Sequence, residues 1–344
     1  MSSVDRREFI AGAVALPTTA AIDGLDSISP TAPPGRVGAT EIAQIRDAAV
    51  AVKRGDMRWG GGFGFDAALV ETRRARDLLE ARCPESLRPA LQIAVGWLAC
   101  NTGFMAFDID RYRDAARLWN VAEGCALEAG NGSLLARVLG SMARQSLWLG
   151  HPVDALALVE RALEDDRGSL VPTERAMLWA LKSRALADLG DATATEQAIQ
   201  TADECLAQRR PEECTDRPWV AHYSHAHHWG DTGLAWDGLA LAGHGARAIE
   251  QAGRRHQASA DGHAVDAARS HALAMIAVAK LNTLVGDIDR GVAAGHRAVE
   301  AAERVRSARV REDLVGLYEA TATHVSRHDV ADLRERIAGT LLAA

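Results

Sequence analysis

The stretch from Trp219 to Asp231, WVAHYSHAHHWGD, gathers the residue types best suited to proton and metal chemistry. It holds His222, His225, His227, His228 and Asp231. Neutral imidazoles beside a carboxylate are a donor set that zinc and other transition metals take. If one helix carries the stretch, His222, His225 and Asp231 fall near one face, and His227 and Asp231 stand at i,i+4. His222, His225, His227 and Asp231 are therefore the candidate metal ligands. The spacing matches no standard zinc signature, and H-E-x-x-H is absent. The competing reading is a polar or pH-responsive helix face, because imidazole titrates near neutrality.

A second set of residues emerges from repeat register. Turn signals stand at Asp110, Gly150, Gly190, Gly243 and Gly286. Counting back six residues from each gives Phe104, Arg144, Arg184, Asp237 and Lys280. Counting back thirteen adds Trp97 and Arg137, and counting back two adds Trp148. In a helical array these positions line one concave surface. Arg144 and Arg184, one repeat apart, suit a carboxylate or phosphate, which guanidinium forks bind bidentately. Trp faces beside Arg suit a peptide or an aromatic metabolite. The competing reading pairs these arginines with Asp108, Asp188 or Asp237, to stabilise the stack alone.

Other chemistries lack their residues. There is no G-x-S-x-G, no dinucleotide-binding fingerprint and no Cys-His pair in a catalytic setting. Gly60-Gly61-Gly62 is followed by no Lys-Ser/Thr pair and preceded by no strand, so it reads as a flexible corner between helices. Glu160 and Glu164-Asp165-Asp166 read as solvated helix surface. No catalytic residue and no cofactor is assigned.

The elements that must position these groups are helices. Ala is abundant, and runs of Val, Ile and Thr are scarce. LWLGHPVDALALVERAL, residues 147–163, reads as a helix end, a Gly150-His151-Pro152 turn, and a second helix with Ala155 and Ala162 on its packing face. A small residue five positions after the turn and an Ala seven beyond it recur at Ala115 and Ala122, and at Gly291 and Ala298. After Gly190 only Ala202 keeps register, and after Gly243 only Ala248 does. The turns are spaced by 40, 40, 53 and 43 residues, against about 34 for a standard tetratricopeptide repeat. The longest step contains QRRPEECTDRP, residues 208–218, which reads as a loop. Before the repeats, a helix is expected from Ala39, capped by Thr40, with Ile42, Ile45, Ala49 and Val52 on one face, and a second over 67–82. The fold expectation is all-α: a tetratricopeptide-like superhelix of antiparallel hairpins forming one domain over 37–344, because stacking alone covers each hairpin's apolar face.

Composition narrows the function. The 344 residues are 48% hydrophobic and 25% charged, with a net charge of −7. An acidic chain without a helix-turn-helix, zinc finger or basic arm is a poor duplex binder. Five cysteines with no C-x-x-C read as free thiols in a reducing compartment. Residues 1–36 read as a leader. RREFI followed by an apolar run has the form of a twin-arginine export signal, while Pro17, Thr18 and Thr19 interrupt that run, and SISPTAPPGR is a Pro-rich linker. No later stretch reads as a membrane span. The localisation expected is cytoplasmic, with twin-arginine export as the alternative.

VGATEIAQIRDAA, Asp56 before the glycines, GWLACNTG, SMARQSLWLGHPVDALAL and VRSARVREDL occur in an order and spacing that resemble a known family. They are similar to the regulatory half of actinobacterial helix-turn-helix transcription regulators of the Xre type, over about residues 37–338. The resemblance implies a tetratricopeptide-like sensor of ligands or partners. In that family a DNA-binding domain precedes this half; here the leader stands in its place. The functional expectation is a regulatory protein that binds a small molecule, a peptide or a protein in its groove, without touching nucleic acid or membrane itself. The partners expected are a separate DNA-binding protein and, as a homodimer, a second copy of the chain. The alternative is an enzyme or metal-binding protein of a biosynthetic pathway, with the His222–His228 helix as its site.

Overall fold

A computed structural model describes residues 35–166, 168–213, 217–264 and 266–343. The leader reading, almost all of the Pro-rich linker and Cys214 lie outside the described residues. The protein is all-α: 80% helical, with fourteen α-helices and no strand among the described residues. In chain order these are α1 Ala39–Trp59, α2 Phe65–Asp77, α3 Arg88–Asp108, α4 Tyr112–Glu128, α5 Gly132–Trp148, α6 Pro152–Glu164 and α7 Pro172–Asp188. They continue with α8 Ala192–Ala207, α9 His225–Leu241, α10 Gly245–Gly262, α11 Ala268–Leu284, α12 Ile288–Ala302, α13 Ala308–Ala320 and α14 His328–Ala343.

The hairpin turns share one chemistry. Asp110, Gly150, Gly190, Gly243 and Gly286 all have positive φ, between 63° and 88°. In each, the next residue's N–H donates to a carbonyl five residues back: Arg111 to Ala106, His151 to Ser146, Asp191 to Leu186, His244 to Leu239 and Asp287 to Asn282. This bond closes a Schellman motif and satisfies a carbonyl that the helix end would orphan. The residue that ends one helix then starts the next: Asp191 and Asp287 accept from the N–H groups of Ala194 and Arg290. Pro152 opens α6 at a position that needs no donor. The small residues of the template are buried, and Thr195 takes the place of Ala after Gly190. A Cβ on Gly291 would stand 2.6 Å from Thr283 Oγ1, so α11 and α12 approach as closely as glycine allows.

Early expectations need adjustment. Thr40 lies inside α1; the cap is made by Glu41, whose carboxylate accepts from Gly38 N–H at 2.8 Å. Ile42, Ile45 and Ala49 are buried, and Val52 is half-buried. The second helix is α2 followed by a 3-10 turn, Leu78–Glu80. Glu85–Asp108 is long and apolar enough to cross a membrane, unlike the sequence reading, but 89% of that window is buried within the protein. Its apolar faces are taken up by other helices.

The helices fall into two compact units. The first comprises residues up to 53, 64–107 and 111–170; the second comprises 54–63, 108–110 and 171–344. In the first, Asn101 Nδ2 donates to the Ala49 carbonyl at 3.0 Å, and Thr72 and Thr102 hydroxyls meet at 2.8 Å. Trp119, fully buried, donates to the Cys100 carbonyl, and α4 packs on α5 and α5 on α6. In the second, α7 packs on α8 and α9, α9 on α10, α10 on α11, α11 on α12 and α13, and α12 on α14. The first helix of one hairpin thus packs on the first helix of the next, at α7–α9 and α11–α13.

The loop over 208–218 is tied down where it is described. Glu213 is buried and accepts from Thr173 N–H at the start of α7 and from Arg210 N–H. A carboxylate at a helix N-terminus meets unpaired N–H groups and the positive end of the dipole. The glycine corner is likewise anchored within the second unit. Gly62 N–H donates to the Arg306 carbonyl at 2.9 Å, and Arg306 N–H to the Trp59 carbonyl at 2.7 Å.

Candidate functional site

The predicted groove residues divide between the units. Trp97, Phe104, Arg137, Arg144 and Trp148 belong to the first; Arg184, Asp237 and Lys280 belong to the second. In the first unit α3 presents Trp97, Cys100 and Phe104, and α5 presents Arg137, Ser141, Arg144 and Trp148. Cys100 Sγ and Ser141 Oγ meet at 3.8 Å across the two helices. Lys53, from α1, places its ammonium 5.1 Å from the centre of the Phe104 ring. Burial pushes the Cys100 thiol up, while Arg137, Ser141 and Lys53 pull the other way. Both cations are therefore felt at one point on α3. Phe104 meets Phe107 edge-on at 5.6 Å, and Phe107 meets Trp148 edge-on at 6.5 Å. Arg137 is only 5% exposed. Lys53 was missed by the register argument, because it precedes the first repeat; its i+7 spacing from Arg46 on α1 gave no signal of cation–π contact.

In the second unit the predicted residues have partners within the fold. Arg184 pairs with Asp231 at 3.3 Å, an aspartate outside the Asp108, Asp188 and Asp237 of the competing reading. Burial pushes the Asp188 carboxyl up, and Arg184 pulls it back. Asp237 bonds His256 at 2.6 Å, and Lys280 reaches Asp313 at 3.4 Å.

The histidine stretch is divided by a cap. Pro218–Val220 is a 3-10 turn, and Ser224 caps α9 by accepting from His227 N–H, so the helix starts at His225. His222 therefore lies before the helix and does not share a face with His225. His222 Nδ1 donates to the Trp219 carbonyl at 2.7 Å, and His225 packs on Trp229. His227 lies between the hydroxyls of Ser224 at 3.0 Å and Ser270 at 3.2 Å. Asp231 is held by Arg184. His222, His225, His227 and Asp231 do not converge, and no group of three His, Cys, Asp or Glu among the described residues is arranged to hold a metal ion.

The histidine with the most developed setting is His228, which was not among the predicted ligands. It is buried, with Nε2 2.6 Å from Asp203 Oδ1 and Nδ1 3.3 Å from the Tyr223 hydroxyl. Arg255 donates to both oxygens of Asp203, at 3.0 and 2.6 Å, and to Thr232 Oγ1 at 2.7 Å. Burial pushes the Asp203 carboxyl up, but the bonds from His228 and Arg255 prevail and hold it at about 2. Tyr223 is buried too, so this Asp-His-Tyr chain ends inside the protein. Arg255 stands where the repeat template asks for Ala, which is why the template failed after Gly243.

A buried ionic cluster was also beyond sequence reasoning. Arg269 donates to both oxygens of Asp56 and reaches Asp108 at 3.2 Å. Arg309 lies 3.7 Å from Asp108, which also accepts from Ser307 Oγ and Gly61 N–H. Exposure is 1% for Asp56, 0% for Asp108, 4% for Arg269 and 9% for Arg309. Two carboxylates and two guanidinium groups balance in charge, as burial demands. All four belong to the second unit.

These features define an all-α protein of helical hairpins, cross-linked by buried polar seams and carrying a cationic, aromatic face in its first unit. No protein-family model matches the chain, and no curated protein matches it.

Proposed function

We propose that this is a non-catalytic regulatory protein of the tetratricopeptide-like kind, which binds a small anionic ligand or an acidic peptide on the α3–α5 face of its first unit. The observation that carries the reading is that Lys53 and Arg137 both act on Cys100, with Lys53 over the Phe104 ring and Trp148 linked to Phe104 through Phe107. Cations beside aromatic faces offer a carboxylate a charged hydrogen bond and its apolar body a stacking surface. Arg144 extends the same face by two turns. The resemblance to the sensor half of Xre-type regulators supports a role in relaying binding to a separate DNA-binding protein, and the net charge of −7 supports indirect rather than direct action on DNA.

The test is thermal stabilisation by benzoate and indole acetate, set against benzamide and indole acetamide. The carboxylates are expected to raise the melting temperature and the amides to leave it unchanged. Arg137→Gln is expected to cost roughly 1.5–3 kcal/mol of carboxylate binding. If Arg137→Gln lowers stability and no carboxylate shifts the melting temperature of the parent protein, the face is structural and the reading is overturned.

A further inference from the structure

Where the end of α10 meets the start of α9, four imidazoles gather within the second unit. His227 and His263 are edge to face, 4.7 Å between ring centres, and His222 is 6.1 Å from His227. His271, on α11, bonds the Ala260 carbonyl through Nδ1 at 3.1 Å. The two helices approach closely here. A Cβ on Gly230 would stand 3.0 Å from Ser259 Oγ, and one on Gly262 would stand 3.2 Å from Ala226 Cβ.

Ser259 is the stitch between them. Its hydroxyl donates to the Ala226 carbonyl at 2.8 Å, which leaves its oxygen to accept from His263 Nε2–H at 3.4 Å. The proton of neutral His263 is thereby assigned to Nε2. Nδ1 of His263 is buried and has no hydrogen-bond partner among the described residues. A second proton there would make an N–H with no acceptor, beside other imidazoles.

The charged groups around the ring do not offset that proton. Asp261, on the same helix, accepts from Gln257. Asp266 pairs with Arg58, and Arg269 of α11 is committed to Asp56 and Asp108. His222 and His227 lie on the α9 side, and His271 on α11 acts against a positive charge on His263.

We propose that this cluster is an acid-sensitive joint: a second proton on His263 Nδ1 finds no acceptor while the joint is closed, so protonation favours a form in which the last turn of α10 has parted from the first turn of α9 and the Ser259–Ala226 bond is broken. Burial first, and then His271, push His263 down from 6.5 to about 4. The closed joint therefore prefers the neutral ring. Its stability is complete above pH 6.5 and is lost progressively as pH falls toward 4, because the opened form takes the proton first.

Amide exchange of the full chain, corrected for the intrinsic effect of pH, reads the joint directly, alongside an NMR titration of the labelled imidazoles. Between pH 7 and pH 4, exchange over 224–232 and 258–264 is expected to rise by roughly two orders of magnitude, while peptides from α5 and α6 do not change. His263→Gln keeps an N–H donor for Ser259 without a titrating ring, and is expected to abolish the rise. The same rise in His263→Gln would overturn the proposal. If that variant does not fold, the parent protein decides: exchange that does not follow the His263 titration overturns the joint as surely.

Discussion

The two units join their helices by different means. In the first, neutral pairs make the deepest seams: Asn101 to the Ala49 carbonyl, Thr72 to Thr102, Trp119 to the Cys100 carbonyl, and Cys100 to Ser141, with the charged contacts Gln92–Glu128 and Arg161–Glu123 nearer the surface. In the second, charges and imidazoles do this work: Asp56 and Asp108 with Arg269 and Arg309, Asp203 with His228 and Arg255, Asp237 with His256. A neutral hydrogen bond exchanges nearly evenly with water, so its loss is mild. A buried charge deprived of its partner retains its whole desolvation cost. The second unit should therefore respond far more sharply to single substitutions and to pH.

The strongest contrast is between Asp56→Ala and Thr72→Val. Asp56→Ala strips Arg269 of its bidentate partner and is expected to cost about 3–5 kcal/mol. Thr72→Val removes a neutral pair and is expected to cost about 1 kcal/mol. Urea unfolding of both variants measures the difference. Equal losses would show that the charges of the second unit are solvated in a way their burial belies.

Glycine substitutions sharpen the contrast at an intermediate scale. Gly150 has φ of 76°, and a Cβ there meets nothing within 4 Å. Gly150→Ala is expected to cost roughly 1–2 kcal/mol through left-handed strain alone. Gly60, in the second unit, has φ of 80°, and its Cβ would stand 2.5 Å from the Arg306 carbonyl oxygen. Gly60→Ala is expected to cost a further 1–3 kcal/mol, roughly, for that overlap. Melting temperatures of the two variants give the order, and a Gly150 variant that melts first would reverse the assignment.

These positions also show what a sequence can carry. The five hairpin turns were legible because each needs positive φ, and a glycine or an aspartate after a run of apolar helix announces it. The turn at Gly130 also has positive φ, of 61°, but joins α4 to α5 and is not followed by the paired small residues, so the template passed over it. Buried small residues were legible for the same local reason. Asp56, Asp108, Arg269 and Arg309 were not, because nothing local distinguishes a carboxylate that meets a guanidinium 213 residues away from one in water. The histidine stretch misled in a specific way. Ser224 was a readable cap, and treating the stretch as one helix put His222 on a face it does not reach.

The smallest effects concern thiols. Burial, with help from Glu128, pushes Cys125 up to about 12, and burial raises Cys100 as well. The thiolate is the reacting form. At pH 8 a disulfide reagent is expected to leave Cys100 and Cys125 untouched while labelling half-buried Cys83, and Cys205, which burial also raises, more slowly, as read by peptide mass spectrometry. Labelling of Cys100 at a rate near that of Cys83 would mean that the seam to Ser141 opens readily.

The reach of the Asp56–Arg269 pair has a temporal consequence. During synthesis at about 5–20 residues per second, Asp56 leaves the ribosome roughly 10–40 seconds before Arg269 does. When residues 54–63 and 108–110 have been made, the rest of the unit that contains them, residues 171–344, has not. The nascent chain must hold two carboxylates in water until their cations arrive, and charged side chains are well suited to that wait, since they keep an unfinished surface soluble. Closure of the second unit is then a late, long-range event, of the kind that slows folding by its loop entropy rather than by its stability.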